Sequence, residues 1–459
     1  MEQQKIEVAI LAAGRGTRMR STLPKVLHPL GGLPLLAHVI AAAESTSPQA
    51  IHLVYGHGGD QVKEAIHGTT LHWVEQLEQR GTGDAVAKVL PAVDDEATLL
   101  ILYGDVPLIQ PKTLEKLIHC AEQGLALLTV KLEEPRGYGR IVRNDEGDVV
   151  AIVEERDATA AQREISEINS GIMALPAALA RRWISQLTPN NAQGEYYLTD
   201  IIALAVGDGV EVNGICIGDS DEVAGVNSRV QLAQLERVYQ QRTAHALMEQ
   251  GVTLRDPTRL EVRGRVEISP DVTIDCNVIL EGEVTIASHC VIGANSIIRN
   301  SDLGQGVVVE PMSIIDDAQI AAGCLIGPFA RIRPGTVLAT GAKVGNFVEI
   351  KKSRVGVGSK VNHLSYIGDT EMGDGVNVGA GTITCNYDGA AKHKTVIGDG
   401  AFIGSDTQLV APVTVGANAT IGAGSTITQD TPDDTLTLSR SPQKSIQGWR
   451  RATKEVKKE

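Results

Sequence analysis

After an apolar run the chain reads LAAGRGTRMRSTLPK, Leu11 to Lys25. Two glycines two positions apart after a strand mark a phosphate site, yet neither common recipe is met. A dinucleotide fingerprint wants glycine where Met19 stands, and the Gly-Lys-Ser/Thr of a Walker loop is absent. What remains is Gly14, Gly16, Arg18 and Lys25: backbone N–H groups to wrap a phosphate chain and two cations to neutralise it. Asp105 closes the run LILYGD and offers a carboxylate to a hard dication such as Mg²⁺. A second set lies far downstream. Arg333 and Lys351 are 18 positions apart and suit either a phosphate clamp or a solvated basic ladder. His363 follows, a base near neutral pH or a structural imidazole, with Glu349 as a candidate to orient it.

The elements that must position these residues follow two grammars. VAILAAG, AIHLVYG, TLLILYGD and LALLTVKL are continuous apolar strands separated by helix-length stretches. That pattern predicts a Rossmann-like parallel sheet with helices on both faces and ligands at the strand C-termini. SRVQLAQLERVYQQRTAHALMEQ then predicts one long helix, with Gly251 as its C′ residue. Beyond it, aliphatic residues recur every sixth position. They run from Ile268 to Ile298, from Val308 and Ile314 on to Ile350, and from Ile397 to Ile427. A hexad is neither helix period nor strand alternation, so it predicts a parallel β-helix of three hexads per coil. GAGTITCNYDG (379–389) and KHKT disturb the rhythm and predict a projecting loop. The expected domains are 1–229, a linker helix 230–251, and a β-helix with its tail, 252–459.

Composition excludes several classes. A net charge of −14 argues against nucleic-acid or membrane-surface binding. Six scattered cysteines without a CxxC read as thiols of a reducing compartment. No apolar run reaches membrane-spanning length and MEQQKIEVAI leads straight into a strand, so a cytoplasmic protein is expected.

LAAGxGTRM…LPK with a strand ending in Gly-Asp resembles sugar-nucleotide pyrophosphorylases. EQLEQRGTGDA, RGYGRI, VEERDA, EINSGI, NNAQGEYYLTD and GVNSR narrow this further. In order and spacing they resemble the bifunctional bacterial family that joins N-acetylglucosamine-1-phosphate uridylyltransferase to glucosamine-1-phosphate N-acetyltransferase. The resemblance covers essentially the whole chain. It implies that acetyl-CoA acetylates glucosamine 1-phosphate, and that UTP then reacts with N-acetylglucosamine 1-phosphate to give UDP-N-acetylglucosamine and pyrophosphate. That product serves peptidoglycan and lipopolysaccharide synthesis. The resemblance also implies a left-handed β-helix and a homotrimer.

For the nucleotide it implies contacts from Leu11, Ala12, Ala13, Gly14, Lys25, Gln76, Gly81, Thr82, Tyr103, Gly104 and Asp105. For the sugar it implies Gly139, Glu154 and Asn169, and it gives Mg²⁺ to Asp105 and Asn227. From the residues alone, Asn227 could equally cap the long helix. Asp84 departs from the histidine usual after GTG. In the second site the resemblance gives sugar phosphate to Arg333, Lys351, Tyr366 and Asn377, with His363 as general base. It gives acetyl-CoA to Ala380, Asn386, Tyr387, Ser405, Ala423 and Arg440. Ser405 and Ala423 also lie 18 apart in the hexad register, so small residues would stack into a groove. The basic tail that follows Arg440 reads as a solvated segment.

Overall fold

The computed structural model describes residues 5–14, 16–67, 71–122 and 124–452. The chain divides into two compact units, residues 1–243 and 244–459. In the first, the order across the main path of the sheet is Val212–Ile217, Leu125–Lys131, Glu167–Pro176, Thr98–Tyr103, Ile6–Leu11, Ala50–Tyr55, Leu71–Glu75. Glu167–Pro176 runs antiparallel to both of its neighbours on this path and the other pairs are parallel.

Alternation along a strand sends neighbours to opposite faces, and both faces are apolar here. Val8, Ile10, Leu100 and Leu102 join one core with helices Leu35–Glu44 and Pro111–Cys120. Ala9, Leu11, Leu99 and Ile101 join another with helices Thr82–Val89, Ala177–Ile184 and Ile201–Gly207. That double burial is why these strands read as continuous apolar runs. The chain leaves Ile6–Leu11 toward Ala50–Tyr55 and later returns on its other side at Thr98–Tyr103. Such a switch point opens a crevice at the strand C-termini.

The long helix spans Arg229–Glu249, and Gly251 follows with φ 94°. Its first half is not freestanding: Leu232, Leu235, Val238 and Tyr239 pack with Met19, Leu30, Leu35 and Leu108. No helix among the described residues is long and apolar enough to cross a membrane.

The second unit is a parallel β-helix whose aliphatic residues form one continuous core column. Ile332 pairs with Ile350, and Ile403 with Ile421, each one coil of 18 residues apart. The hexad breaks at one point differently from expectation. Ile292 and Ile298 pair with Val309 and Ile315, so these two are buried while Val308 and Ile314 are only partly so. A coil of 17 residues moves the phase by one. Val378 pairs with Ile403, 25 positions on, because residues 386–394 leave the coil; the loop begins later than expected, since Ile383–Cys385 stays in the coil as a strand between Tyr366 and Gln408.

Candidate functional site

At the crevice, Leu11, Ala12, Ala13, Gly14, Lys25, Gln76, Gly81, Thr82, Tyr103 and Asp105 line one cleft of about 240 Å³. Backbone bonds fix its floor: Gly104 N–H donates to the Leu11 carbonyl (3.0 Å), and Ala12 N–H to the Val54 carbonyl (2.9 Å). Gly16 has φ 58°, and a Cβ there would lie 2.6 Å from Lys25 Cβ, so only glycine lets the lysine stem pack across the turn. Lys25 Nζ donates to Asp105 Oδ2 at 2.5 Å and to Asn227 Oδ1 at 3.2 Å. Arg18 differs: it is exposed, on the short turn Thr17–Met19, and outside the cleft lining.

Asn227 does not cap the long helix. Ser228 does, its Oγ accepting from Gln231 N–H (3.2 Å), while Asn227 turns its amide oxygen to Lys25. Asp105 and Asn227 thus aim two oxygens at the Lys25 ammonium. Two protein oxygens fit Mg²⁺, which keeps its other positions for water and substrate phosphates.

Gly139, Glu154 and Asn169 come together beside this cleft. Asn169 N–H donates to the Gly139 carbonyl (2.9 Å), and a Cβ on Gly139 would lie 3.3 Å from Glu154 Oε1. Burial raises the Glu154 pKa above the usual carboxylate range, although Thr199 Oγ1 donates to it at 3.2 Å. Burial, then the charges of Glu154 and Asp105, pushes the Tyr103 phenol up. Its ring packs over Gly171, where a Cβ would lie 2.5 Å away.

The motif reading gave Gln79 and Glu195 no role, yet both line the cleft. Glu195 arrives because Tyr196 N–H donates to the Arg80 carbonyl (2.8 Å) and Gly83 N–H to the Tyr196 carbonyl (2.9 Å). The segment NNAQGEYYLTD therefore closes against RGTGDA. That it recurs with the other motifs was the available signal.

In the β-helix, Arg333 lies one coil before Lys351, as the register Ile332 to Ile350 requires. Each cation meets a carboxylate: Arg333 Nη1 donates to Glu349 (2.7 Å) and Lys351 Nζ to Asp369 (3.3 Å). Glu349 is therefore engaged with Arg333, and the expectation that it orients His363 is corrected. The imidazole partner is Asn346, whose Oδ1 lies 3.0 Å from His363 Nδ1. Asn346 and His363 are paired positions on adjacent coils. An amide oxygen only accepts, so Nδ1 carries the proton and Nε2 keeps its lone pair.

Asp369 also accepts from Asn386 Nδ2 (2.5 Å), and Tyr366 Oη and Asn386 both lie against Gly368. Lys392, from the projecting loop, joins this group. It approaches Lys351, and the Lys351 ammonium pushes the Lys392 pKa down. Lys392 and Asp369 were not singled out from the sequence. Asn377 stands apart: its strand pairs with Lys360–His363 and Phe402–Ile403, in a different sheet from Tyr366–Gly368.

The small-residue column forms as expected. Asp406 N–H donates to the Ala380 carbonyl (2.7 Å) and Gly424 N–H to the Ser405 carbonyl (2.8 Å). Arg440 Nη1 reaches the Ala423 carbonyl at 2.6 Å. Tyr387 is exposed on the loop, its hydroxyl donating to the Gly389 carbonyl (2.6 Å). Residues 453–459 of the basic tail lie outside the described residues.

Comparison with known proteins agrees with two catalytic units. Residues 8–252 match a MobA-like NTP transferase domain, 262–366 a GMPPB C-terminal domain, and 394–429 the bacterial transferase hexapeptide (six repeats). A relative from Methylococcus capsulatus, named Bifunctional protein GlmU, is 57% identical over 447 residues, 97% of either chain. Another of that name, from Alkalilimnicola ehrlichii, is 55% identical over 449 residues, 98% of this chain and 97% of its own. A nucleotidyltransferase cleft and a hexapeptide-repeat acyltransferase stand in one polypeptide, and the chain belongs to the bifunctional GlmU family.

Proposed function

We propose that the β-helix unit transfers acetyl from acetyl-CoA to glucosamine 1-phosphate, and that the N-terminal unit joins the product to UTP. The observation that carries this reading is the pair of separate sites, the Lys25–Asp105–Asn227 cleft in one unit and the His363–Asn346 pair with the Arg333–Lys351 ladder in the other.

In the acetyl site, Arg333, Lys351 and Lys392 hold the sugar phosphate. His363 Nε2 takes the amine proton as nitrogen attacks the thioester carbon, and the C–S bond breaks to release CoA thiol. The column Ala380–Ser405–Ala423, with Arg440 at its end, gives the pantetheine arm a lane lined by small side chains.

Uridylyl transfer needs no base. The attacking oxygen of N-acetylglucosamine 1-phosphate is already anionic, it bonds to the α-phosphorus, and pyrophosphate leaves. The barrier is charge repulsion and alignment, which fixed cations lower. Lys25 and the backbone N–H groups of the glycine loop bear on the phosphates, while Gly139, Glu154 and Asn169 hold the sugar. Mg²⁺ held by Asp105 and Asn227 supplies further charge neutralisation when bound. Arg18, exposed in this structure, meets phosphate only if the substrate extends beyond the cleft.

The working form is a homotrimer in the bacterial cytoplasm, where all six free cysteines stay reduced. Asn377, whose strand pairs with that of His363, meets the sugar phosphate from the His363 side. The test is to follow both half-reactions in Asp105→Asn and His363→Ala, with light scattering on each. Asp105→Asn should lose only uridylyl transfer and His363→Ala only acetyl transfer, about 10²–10⁴-fold for a lost base. Loss of both activities in either trimeric variant, or a fully acetylating monomer, overturns the reading.

A further inference from the structure

Gln76 is only 3% exposed, yet its side chain lines the nucleotide cleft. Its Nε2 donates to the Gly81 carbonyl (3.2 Å) and to Asp84 Oδ2 (2.8 Å). A carbonyl and a carboxylate have no proton to give, so both partners accept only. The amide therefore has one orientation. Both of its N–H bonds are used, and Oε1 is the atom left to meet a ligand, as an acceptor. Asp84 stands in the first turn of helix Thr82–Val89, where free backbone N–H groups suit a carboxylate.

We propose that Asp84 is a positioning residue for base recognition: it pins the Gln76 amide so that Oε1 accepts a ring N–H of the nucleotide. This rests on the nucleotide-cleft reading given above. Gly81 and Thr82 line the same cleft, at a helix end whose first N–H groups have no intrahelical acceptor. Backbone donors beside a fixed acceptor complement the edge of uracil, which runs O2 acceptor, N3–H donor, O4 acceptor. Cytosine offers an acceptor at N3 and a donor at N4, and is opposed at both. Were Asp84 only a first-turn acid, its loss would alter stability, or slow every nucleotide alike.

The experiment measures kcat/KM for UTP and for CTP with N-acetylglucosamine 1-phosphate, in the full-length protein, Asp84→Ala and Asp84→Asn. Acetyl transfer serves as the folding control. Asp84→Ala frees the amide to turn, and the loss of one hydrogen bond in the recognition set should cut the UTP:CTP ratio about tenfold. Asp84→Asn keeps an acceptor oxygen and should restore most of the ratio. Should Asp84→Ala fail to fold, Asp84→Leu, which also lacks an acceptor, carries the same expectation. An unchanged ratio in the alanine or leucine variant, or an equal loss in Asp84→Asn, overturns the positioning role. A parent enzyme with no preference for UTP would overturn the cleft reading beneath it.

Discussion

Replacing Lys25 by methionine should tighten, not weaken, dication binding to the nucleotide-free protein. Lys25 Nζ lies 2.5 Å from Asp105 and 3.2 Å from Asn227, so a dication seeking those oxygens must displace an ammonium. The two charged side chains are 13% and 15% exposed. They are too dry for the 0–1 kcal/mol typical of a surface pair at about the median. They are too wet for the roughly 3–5 kcal/mol of breaking a fully buried one. A hydrogen bond to a charged group lies between, at about 1.5–3 kcal/mol. That handicaps the metal about 10- to 150-fold in affinity. Methionine keeps the apolar stem that packs on Gly16 and removes the charge. The assay is Mn²⁺ binding read from the free-ion signal in electron paramagnetic resonance. Lys25→Met should bind Mn²⁺ at least about tenfold more tightly than the parent without nucleotide. Asp105→Asn should bind no measurable Mn²⁺, with uridylyl transfer lower by about 10²–10³-fold. Adding UTP should narrow the gap, because phosphates give the ammonium of the parent another partner. Equal or weaker Mn²⁺ binding by Lys25→Met would refute the competition.

Three further outcomes are expected. Asn346→Ala should slow acetyl transfer about tenfold by freeing the imidazole. Asn346→Asp should instead move the acid limb of the pH–rate profile upward, since a carboxylate stabilises the imidazolium. An unmoved profile would show that Asn346 does not govern His363. Arg333→Ala should raise KM for glucosamine 1-phosphate at least about tenfold, the weight of a charge-assisted bond, with KM for acetyl-CoA unchanged; the reverse pattern would place it in the other subsite. Glu154 has a raised pKa, so between its unfolded and folded values the native state binds more protons. Stability contributed there is lost as pH rises. Glu154→Gln should therefore match the parent in Tm near pH 4 and exceed it at pH 8, while sugar-phosphate binding weakens; an equal Tm at pH 8 would refute the burial argument.

The sequence showed some of these features and concealed others for physical reasons. The hexad was legible because each inward position must be aliphatic and each corner small or polar. Its slip was not, because Val308–Val309 and Ile314–Ile315 are apolar pairs, and only pairing with Ile292 and Ile298 chooses between them. The parallel strands were legible as double-sided apolar runs, whereas Lys25, Asp105 and Asn227 meet across 80 and 202 positions. No local pattern encodes that meeting, so Asn227 stayed open between cap and ligand until Ser228 was seen to take the cap. Asn346 was within reach: it precedes His363 by 17 positions, one short coil. Glu349 looked the better partner by chemistry, but it precedes His363 by 14, which is no coil length.

This arithmetic explains why a β-helix can hold chemistry at all. Its coils stack at roughly 4.8 Å, so residues one coil apart sit at the spacing of a phosphate and its neighbours. A cation, its carboxylate and an imidazole with its acceptor can then be set by coil length alone. Flat rungs, however, give only a ladder, and Arg333 with Lys351 would be a solvated stripe without something to fold over it. The 25-residue step from Val378 to Ile403 supplies that cover, bringing Asn386 to Asp369 and Lys392 to Lys351 from outside the coil. Beyond the step the coil returns to 18 residues, and Ser405 and Ala423 resume the small column begun at Ala380. Three rungs at that spacing make a lane of roughly 10–15 Å, the length of a thin flexible arm rather than of a sugar. The irregular step thus divides the regular stack into a charged pocket before it and a narrow lane after it, which are the two parts an acyl-CoA-dependent transfer to a sugar phosphate requires.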